Sequence, residues 1–583
     1  MDGLSFCGYI YRLIWNASKK EKTIMPSFPP LLSVRLFHPA LRLSLLGAAI
    51  AVGLAACGGN AAMRQAASAA ADVAGTAAND AAVRSIDTVV VIYAENRGFD
   101  TLYGLFPGAD GVPGVNPSSR GRYVPQTDVD NAQLPVLPPT WGGVTAAGQA
   151  RVMTQAQSAN LPNQPFQIDG KNGLALDGSI ITRDLVHRFY NNQMQINGGK
   201  NDKFATYSDA GGLSMGYYDG SSMAMWQLAR EYTLADNFYM GAFGGSFLNH
   251  QYLICACAPQ YPNADKSPGK GGISKIDVDA KGNFVRLTPA AGTPNSTLAG
   301  AQKYANDGTL TPADAQGMFY AVNTMQPPYQ PSNVASAADD SNKLYADRSS
   351  ASTLPPLTQK NIGDLLSDKG VSWAWYAGAW NTSQASARGD RKFALPTPNF
   401  QFHHQPFNYY ANMDPVTHAT YRAAHLKDFD SSFLQDAAAG KLPAVSFYKP
   451  QGNLNQHAGY ADVASGDAHI AEVVKQLRKS PQWQHMLIVV TYDENGGFWD
   501  HAAPPKMDQW GPGTRIPAII ISPYARKGYV DSSLYDTSSV LRFITRRWSL
   551  PVLDGIAQRD RAIQANGGKP LGDLSHALVA QPD

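Results

Sequence analysis

Two long apolar runs in this chain stop abruptly at carboxylates. Ile86-Asp-Thr-Val-Val-Val-Ile-Tyr-Ala ends at Glu95-Asn96, and His485-Met-Leu-Ile-Val-Val-Thr-Tyr ends at Asp493-Glu494-Asn495-Gly496-Gly497. A strand that is apolar at nearly every position must be covered on both faces, which is the setting of a parallel sheet packed under helices. Leu442-Pro-Ala-Val-Ser-Phe-Tyr, Val371-Ser-Trp-Ala-Trp-Tyr and Ile516-Pro-Ala-Ile-Ile-Ile read as further strands. Helical patterns lie between them at 221–230, 362–368, 469–478 and 538–547. Alternation of strands with helices predicts an α/β fold, with a mostly parallel central sheet and helices on both faces.

Composition bears on what surrounds that sheet. At 44% hydrophobic and 16% charged, the 583 residues hold ample material for a core, which excludes a disordered chain or a coiled coil. The segments 107–175 and 260–357 are dense in Pro, Gly, Asn, Ser and Ala and show little periodicity. They read as long loop insertions within one catalytic domain spanning 85–583. Lys plus Arg is 48 against 46 Asp plus Glu, a balance that does not point to nucleic acid.

The N-terminus reads as an address. Leu43–Ala56 is a 14-residue apolar run preceded by Arg35 and Arg42, too short to span a bilayer and suited to a signal peptide. It closes on Leu54-Ala55-Ala56-Cys57, which resembles a bacterial lipobox; an ordinary signal peptide cleaved nearby is the alternative. Residues 1–56 form the expected leader, with Met25 as the expected true start. Residues 57–84, rich in Ala, Gly and Ser, form an expected flexible tether. A lipid on Cys57 would hold the protein at the bacterial cell envelope, in the periplasm or at the outer membrane. Without the leader the net charge is −2 rather than +2.

Three features carry candidate chemistry. Ligands of open α/β sheets bind beyond the carboxyl ends of the strands, where Glu95 and Asp493-Glu494 are expected. Acids gathered there would repel one another, and a divalent cation would relieve that repulsion. Gly244-Gly245-Ser246 precedes an apolar helical stretch, which places Ser246 at a helix N-terminus. A hydroxyl there is a plausible nucleophile beside a metal, although Ser is also a common N-cap. His187, His403, His404 and His457 lie in polar segments and suit phosphate binding or proton transfer. Protonated imidazoles would favour an acidic optimum. Cys255 and Cys257, one residue apart, read as buried thiols rather than a disulfide.

Glu95-Asn96-Arg97-Gly98-Phe99-Asp100 and Tyr492-Asp493-Glu494-Asn495-Gly496-Gly497-Phe498-Trp499-Asp500-His501 resemble the two signatures of the bacterial phosphoesterase family. That family holds acid phosphatases and phospholipases C, and its fold is alkaline phosphatase-like. Asn191-Asn192-Gln193, Gly198-Gly199-Lys200-Asn201-Asp202 and Ser208-Asp209-Ala210-Gly211-Gly212 look like the acid phosphatase branch. The resemblance implies one divalent metal ion (Ca, Mg, Mn or Zn) on Glu95, Asn96, Ser246, Asp493 and Glu494. It implies Ser246 as the nucleophile, with His187, His403, His404 and His457 as active-site histidines. Gly98 stands where the family usually has Ser. The implied function is an acid phosphatase acting on phosphate monoesters. A phospholipase C-type phosphodiesterase and a non-catalytic surface lipoprotein are the alternatives.

Overall fold

The computed structural model describes residues 79–145, 150–262, 264–271, 288–305, 318–331, 336–337, 344–385 and 400–580. The expected leader and Cys57 lie outside them. Residues 81–85 are helical, and Ala82 and Val83 are buried in the core, so the folded unit begins a few residues before the expected boundary at 85.

The eight strands of the central sheet are numbered here in chain order. They are β1 (Thr88–Ala94), β2 (Thr233–Ala235), β3 (Trp373–Ala377), β4 (Leu426–Asp428), β5 (Val445–Lys449), β6 (Met486–Tyr492), β7 (Ala518–Ile521) and β8 (Tyr529–Asp531). Their spatial order is β4-β3-β5-β1-β6-β7-β2-β8. Every residue of β1 and of β6 is buried, as strands covered on both faces must be. Only β7 runs antiparallel to its neighbours. Its apolar run was expected among the parallel strands; reversed, it carries Ser522 to the end of the strands opposite Glu95, where its hydroxyl donates to Met486 O. The short strands β2, β4 and β8 have three residues each, too few to leave a periodic signal.

β1 and β6 pair in parallel from Thr88 opposite Met486 to Ala94 opposite Tyr492. Glu95 and Asp493 therefore leave the sheet side by side. The helices pack as the sequence pattern requires. Ile362–Asp368 forms at the predicted positions, and Ser538–Trp548 runs one residue past its predicted end. The helix predicted from 469 starts at Val463, where the Asp462 side chain caps it by accepting from the Ser465 N–H.

The helix Ser246–Cys255 ends in a correction to the cysteine reading. Ala256 turns left-handed at φ 51°, which swings Cys257 back to Cys255. The two form a disulfide with Cα atoms 5.1 Å apart, a separation a disulfide spans readily. One intervening residue forbids the bond on a continuing helix but not across a helix end.

The two signatures are tied together by a buried charge network beneath the strand ends. Arg515 Nε donates to Asp500 at 2.9 Å and its Nη2 to Asp100 at 3.1 Å, while His501 Nδ1 donates to Asp100 at 2.7 Å. His501 Nε2 reaches Asp110 at 3.2 Å. Burial alone would lower the His501 pKa, but the charge of Asp100 and the hydrogen bonds to Asp100 and Asp110 push it up to about 10. Because that value exceeds the unfolded one, the stabilisation is complete below about pH 6.5 and is lost as pH rises through the folded value. Wild type should therefore lose Tm between about pH 6 and 10, and His501→Gln should lose clearly less over that window. Equal slopes in calorimetry would refute this role for His501.

Candidate active site

Ser246 is the first residue of its helix, and Gly245 stands at the N-cap. The Ser246 side chain does not cap the helix. It is buried, and its Oγ donates to Glu494 Oε1 at 3.0 Å. The turn before it is possible only with glycine: Gly244 has φ 68°, and a Cβ there would lie 2.2 Å from Phe189 N and from Arg188 C. That backbone crossing brings the His187 segment against the Ser246 turn.

The loop after β1 meets the loop after β6. Asn96 is left-handed at φ 60°, and its N–H donates to Asp493 Oδ1 at 3.1 Å. Gly496, at φ 61°, passes so close that a Cβ would sit 2.4 Å from Asn96 O. His187 Nδ1 donates to Leu185 O at 2.5 Å, which leaves Nε2 to accept from Asn96 Nδ2 at 3.2 Å. The amide of Asn96 is thereby oriented with its Oδ1 turned away from the imidazole.

Three buried oxygens then remain without a hydrogen-bond partner among the described residues: Asn96 Oδ1, Asp493 Oδ2 and Glu494 Oε2. Burial pushes Asp493 up to about 7 despite the nearby charge of Lys449. Burial and the charge of Asp493 raise Glu494 well above the usual carboxylate range. Buried acids in this condition fit a divalent cation, which would supply both the missing charge and the missing partner. The donors are an amide oxygen, two carboxylates and a hydroxyl, so the site suits a hard or borderline ion.

Glu95 is in a different state, although fully buried beside them. Its Oε1 meets Lys449 Nζ at 2.9 Å, His404 Nε2 at 3.0 Å and His403 Nε2 at 3.1 Å. Its Oε2 accepts from the Tyr460 hydroxyl at 2.7 Å and from Asn455 Nδ2. Burial would raise its pKa, but Lys449, His404 and His403 hold it well below the ordinary value.

The predicted residues thus fall into two adjoining groups. Asn96, Ser246, Asp493, Glu494 and His187 form one; Glu95, His403 and His404 form the other. His457 stands against His187, with ring centroids 5.4 Å apart. Burial lowers His457 to about 4 and His404 to about 3, and it lowers His403 as well. Burial thus favours the neutral form of these imidazoles, whereas the expected acidic optimum rests on protonated ones. Lys449, Asn455, Tyr460 and His250 are members the sequence reading missed. Lys449 closes β5, so the strand-end rule that selected Glu95 would have selected it too. His250 lies one helical turn after Ser246, with Nδ1 donating to Ser246 O at 2.7 Å.

A cavity of about 500 Å³ opens at Ser246. His187, His457 and Tyr460 line it, and Tyr304 and Met325 of the second insertion supply one wall. A larger cavity of about 610 Å³, lined by Tyr190, Phe243 and Lys506 among others, holds none of the predicted site residues. Among the described residues no helix is long and apolar enough to cross a membrane.

The Phosphoesterase family model matches residues 86–551. Phospholipase C A of Mycobacterium tuberculosis is 23% identical over 525 residues, covering 85% of this chain and 77% of its own. Non-specific phospholipase C6 of Arabidopsis thaliana is 35% identical over 156 residues, which is 22% of this chain and 30% of its own. A protein of the alkaline phosphatase superfamily from Vibrio parahaemolyticus is 12% identical at a TM-score of 0.24, over 60% of this chain and 65% of its own.

The Gly98 departure from the signature is accommodated. Gly98 is the N-cap of the helix Phe99–Tyr103, with no side-chain cap and an ordinary extended backbone. A Cβ there would meet nothing nearer than Thr101 Oγ1 at 3.4 Å. Gly98→Ser should keep full activity and gain about 0.3 kcal/mol from the restored cap. A drop in turnover or in the urea midpoint would show that the position needs glycine.

Proposed function

The chain belongs to the phosphoesterase family, and from that premise we propose a metal-dependent acid phosphatase that hydrolyses phosphate monoesters through a phosphoserine on Ser246. The observation that carries this reading is the Ser246 hydroxyl on Glu494 beside three unpartnered buried oxygens. Asn96, Ser246, Asp493 and Glu494 would hold the cation. Glu95 would reach it only by giving up one of its present partners. A cation bound there lowers the pKa of a serine hydroxyl and offsets charge on the phosphoryl oxygens.

The side chains divide the remaining work. Glu494 Oε1 is placed to take the Ser246 proton as the oxygen attacks phosphorus in line, and the ester oxygen leaves on the opposite side. His187 and His457 each direct Nδ1 at a backbone carbonyl, of Leu185 and of Ala458. A phosphate dianion beside His457 favours its protonation, after which it donates from Nε2 to a phosphoryl or leaving oxygen, while His187 holds the Asn96 amide. Water then hydrolyses the phosphoserine.

A second reading, a phospholipase C-type phosphodiesterase, is favoured by the names of the relatives, led by phospholipase C A. Ser246→Ala should lower kcat on an aryl phosphate by about 1000-fold or more, because the nucleophile is lost. Unchanged kcat would remove Ser246 from the mechanism. Parallel assays on an aryl phosphate and on phosphatidylcholine decide the ester class: faster release of phosphocholine would replace the monoesterase reading.

We also propose that the chain is exported and anchored by a lipid on Cys57, from the lipobox-like segment. In a bacterial host the wild type should incorporate labelled palmitate and partition with membranes, and Cys57→Ala should do neither. Equal labelling of the two would exclude this anchor.

A further inference from the structure

We infer that Lys449 and Tyr460 are positioning residues for the active-site histidines, and that both act through Glu95. The inference rests on the phosphoesterase reading above. It concerns residues that neither signature contains.

Glu95 is a hub because five groups converge on one carboxylate: Lys449, His403 and His404 on Oε1, and Tyr460 and Asn455 on Oε2. A carboxylate offers about four lone-pair sites, and the two histidines, Tyr460 and Asn455 fill them by hydrogen bonds while Lys449 adds an ion pair. Each imidazole that donates Nε2–H to it has its ring plane and tautomer fixed at the same time. His403 and His404 are therefore set directly by the position of Glu95. His404 is further held by the Gln401 N–H, which donates to its Nδ1.

Lys449 makes that position possible. Its side chain and that of Glu95 are both 0% exposed, and the ammonium meets Oε1 as an ion pair at 2.9 Å. A buried carboxylate without a counter-charge is costly and draws in whatever cation or proton it can reach. Lys449 supplies the charge from the end of β5, the strand next to β1, so its reach is set by the sheet. The Lys449 ammonium also lies 5.6 Å from the Tyr93 ring centroid, which gives it a second favourable contact.

Tyr460 carries the same reference point to His457. Its hydroxyl donates to Glu95 Oε2 at 2.7 Å, and its ring stacks on the His457 imidazole at 4.1 Å and 21°. Both residues line the cavity at Ser246. The His457 ring is otherwise held by the bond from Nδ1 to Ala458 O and by its edge contact with His187. The stacked phenol fixes the tilt, and Glu95 fixes the phenol. Three of the four candidate histidines, His403, His404 and His457, are thus referenced to one carboxylate.

The test uses the full chain, with inorganic phosphate and Mn²⁺ as separate probes. Tyr460→Phe keeps the ring and removes only the bond to Glu95. It should weaken inorganic phosphate, measured as a competitive inhibitor, by about tenfold and lower kcat/KM by about 10- to 100-fold. Its Mn²⁺ affinity by calorimetry should stay within about threefold of wild type, since no unpartnered oxygen is touched. Lys449→Met should lose folding stability, and Glu95→Gln/Lys449→Met should recover most of that loss, because the unpaired charge is gone. Lys449→Arg, which keeps the charge, should restore phosphate inhibition better than Lys449→Met. Wild-type phosphate inhibition in Tyr460→Phe would overturn the role of Tyr460. A double variant no more stable than Lys449→Met would overturn the pairing of Lys449 with Glu95. Failure of the wild type itself to hydrolyse aryl phosphate would instead reject the phosphoesterase reading on which this inference stands.

Discussion

Everything at the site follows from the in-register parallel pairing of β1 with β6. Ala94 faces Tyr492, so Glu95 and Asp493 emerge together into a space from which water is excluded. Buried carboxylates cannot stay ionised without compensation, and the structure answers that demand in two ways within one pocket. Glu95 is compensated by the protein's own groups. Asp493 and Glu494 are compensated only in part, and with Asn96 they keep oxygens without a hydrogen-bond partner among the described residues. The contrast between a closed carboxylate and an open pair is what divides the positioning half of the site from the half suited to a cation.

The close approach of the two signature loops has its own supports. Asn96 and Gly496 take left-handed backbone conformations to cross, and Gly244 lets the Ser246 turn press on the His187 segment. Beneath them Asp100, Asp500, His501 and Arg515 interlock. Asp100, Asp500 and His501 stand inside the signatures yet, with Arg515 from outside them, serve architecture: they tie the loop after β1 to the loop after β6. A signature residue is therefore not by that fact a catalytic one.

The functional reading has a coarse part and a fine part with different physical bases. Hydrolysis of phosphate esters follows from family membership, together with a hydroxyl beside acids that each keep one oxygen unpartnered among the described residues. Residues of the second insertion such as Tyr304 and Met325 line the cavity at Ser246, and on the proposed reading the choice between monoester and diester would fall to such walls. Loop walls change without disturbing the strand ends, so one set of catalytic residues can serve either ester.

Much was legible in the chain alone, because burial writes itself into local sequence. The runs before Glu95 and Asp493 could only be covered strands, and acids at their ends could only meet beyond the sheet. Ser246 after two glycines marked a helix start. What sequence left open depended on contacts between distant segments. Whether Ser246 capped its helix or faced an acid was decided by Glu494, 248 positions away. The reversal of β7 and the Cys255–Cys257 bond arose from chain turns that periodicity does not encode. Lys449 and Tyr460 are ordinary residues in sequence and acquire a role only because the fold sets them on Glu95. Sequence determined which groups are buried; only the tertiary structure decided which buried charge meets which partner, since partnership is a matter of a few ångströms in space.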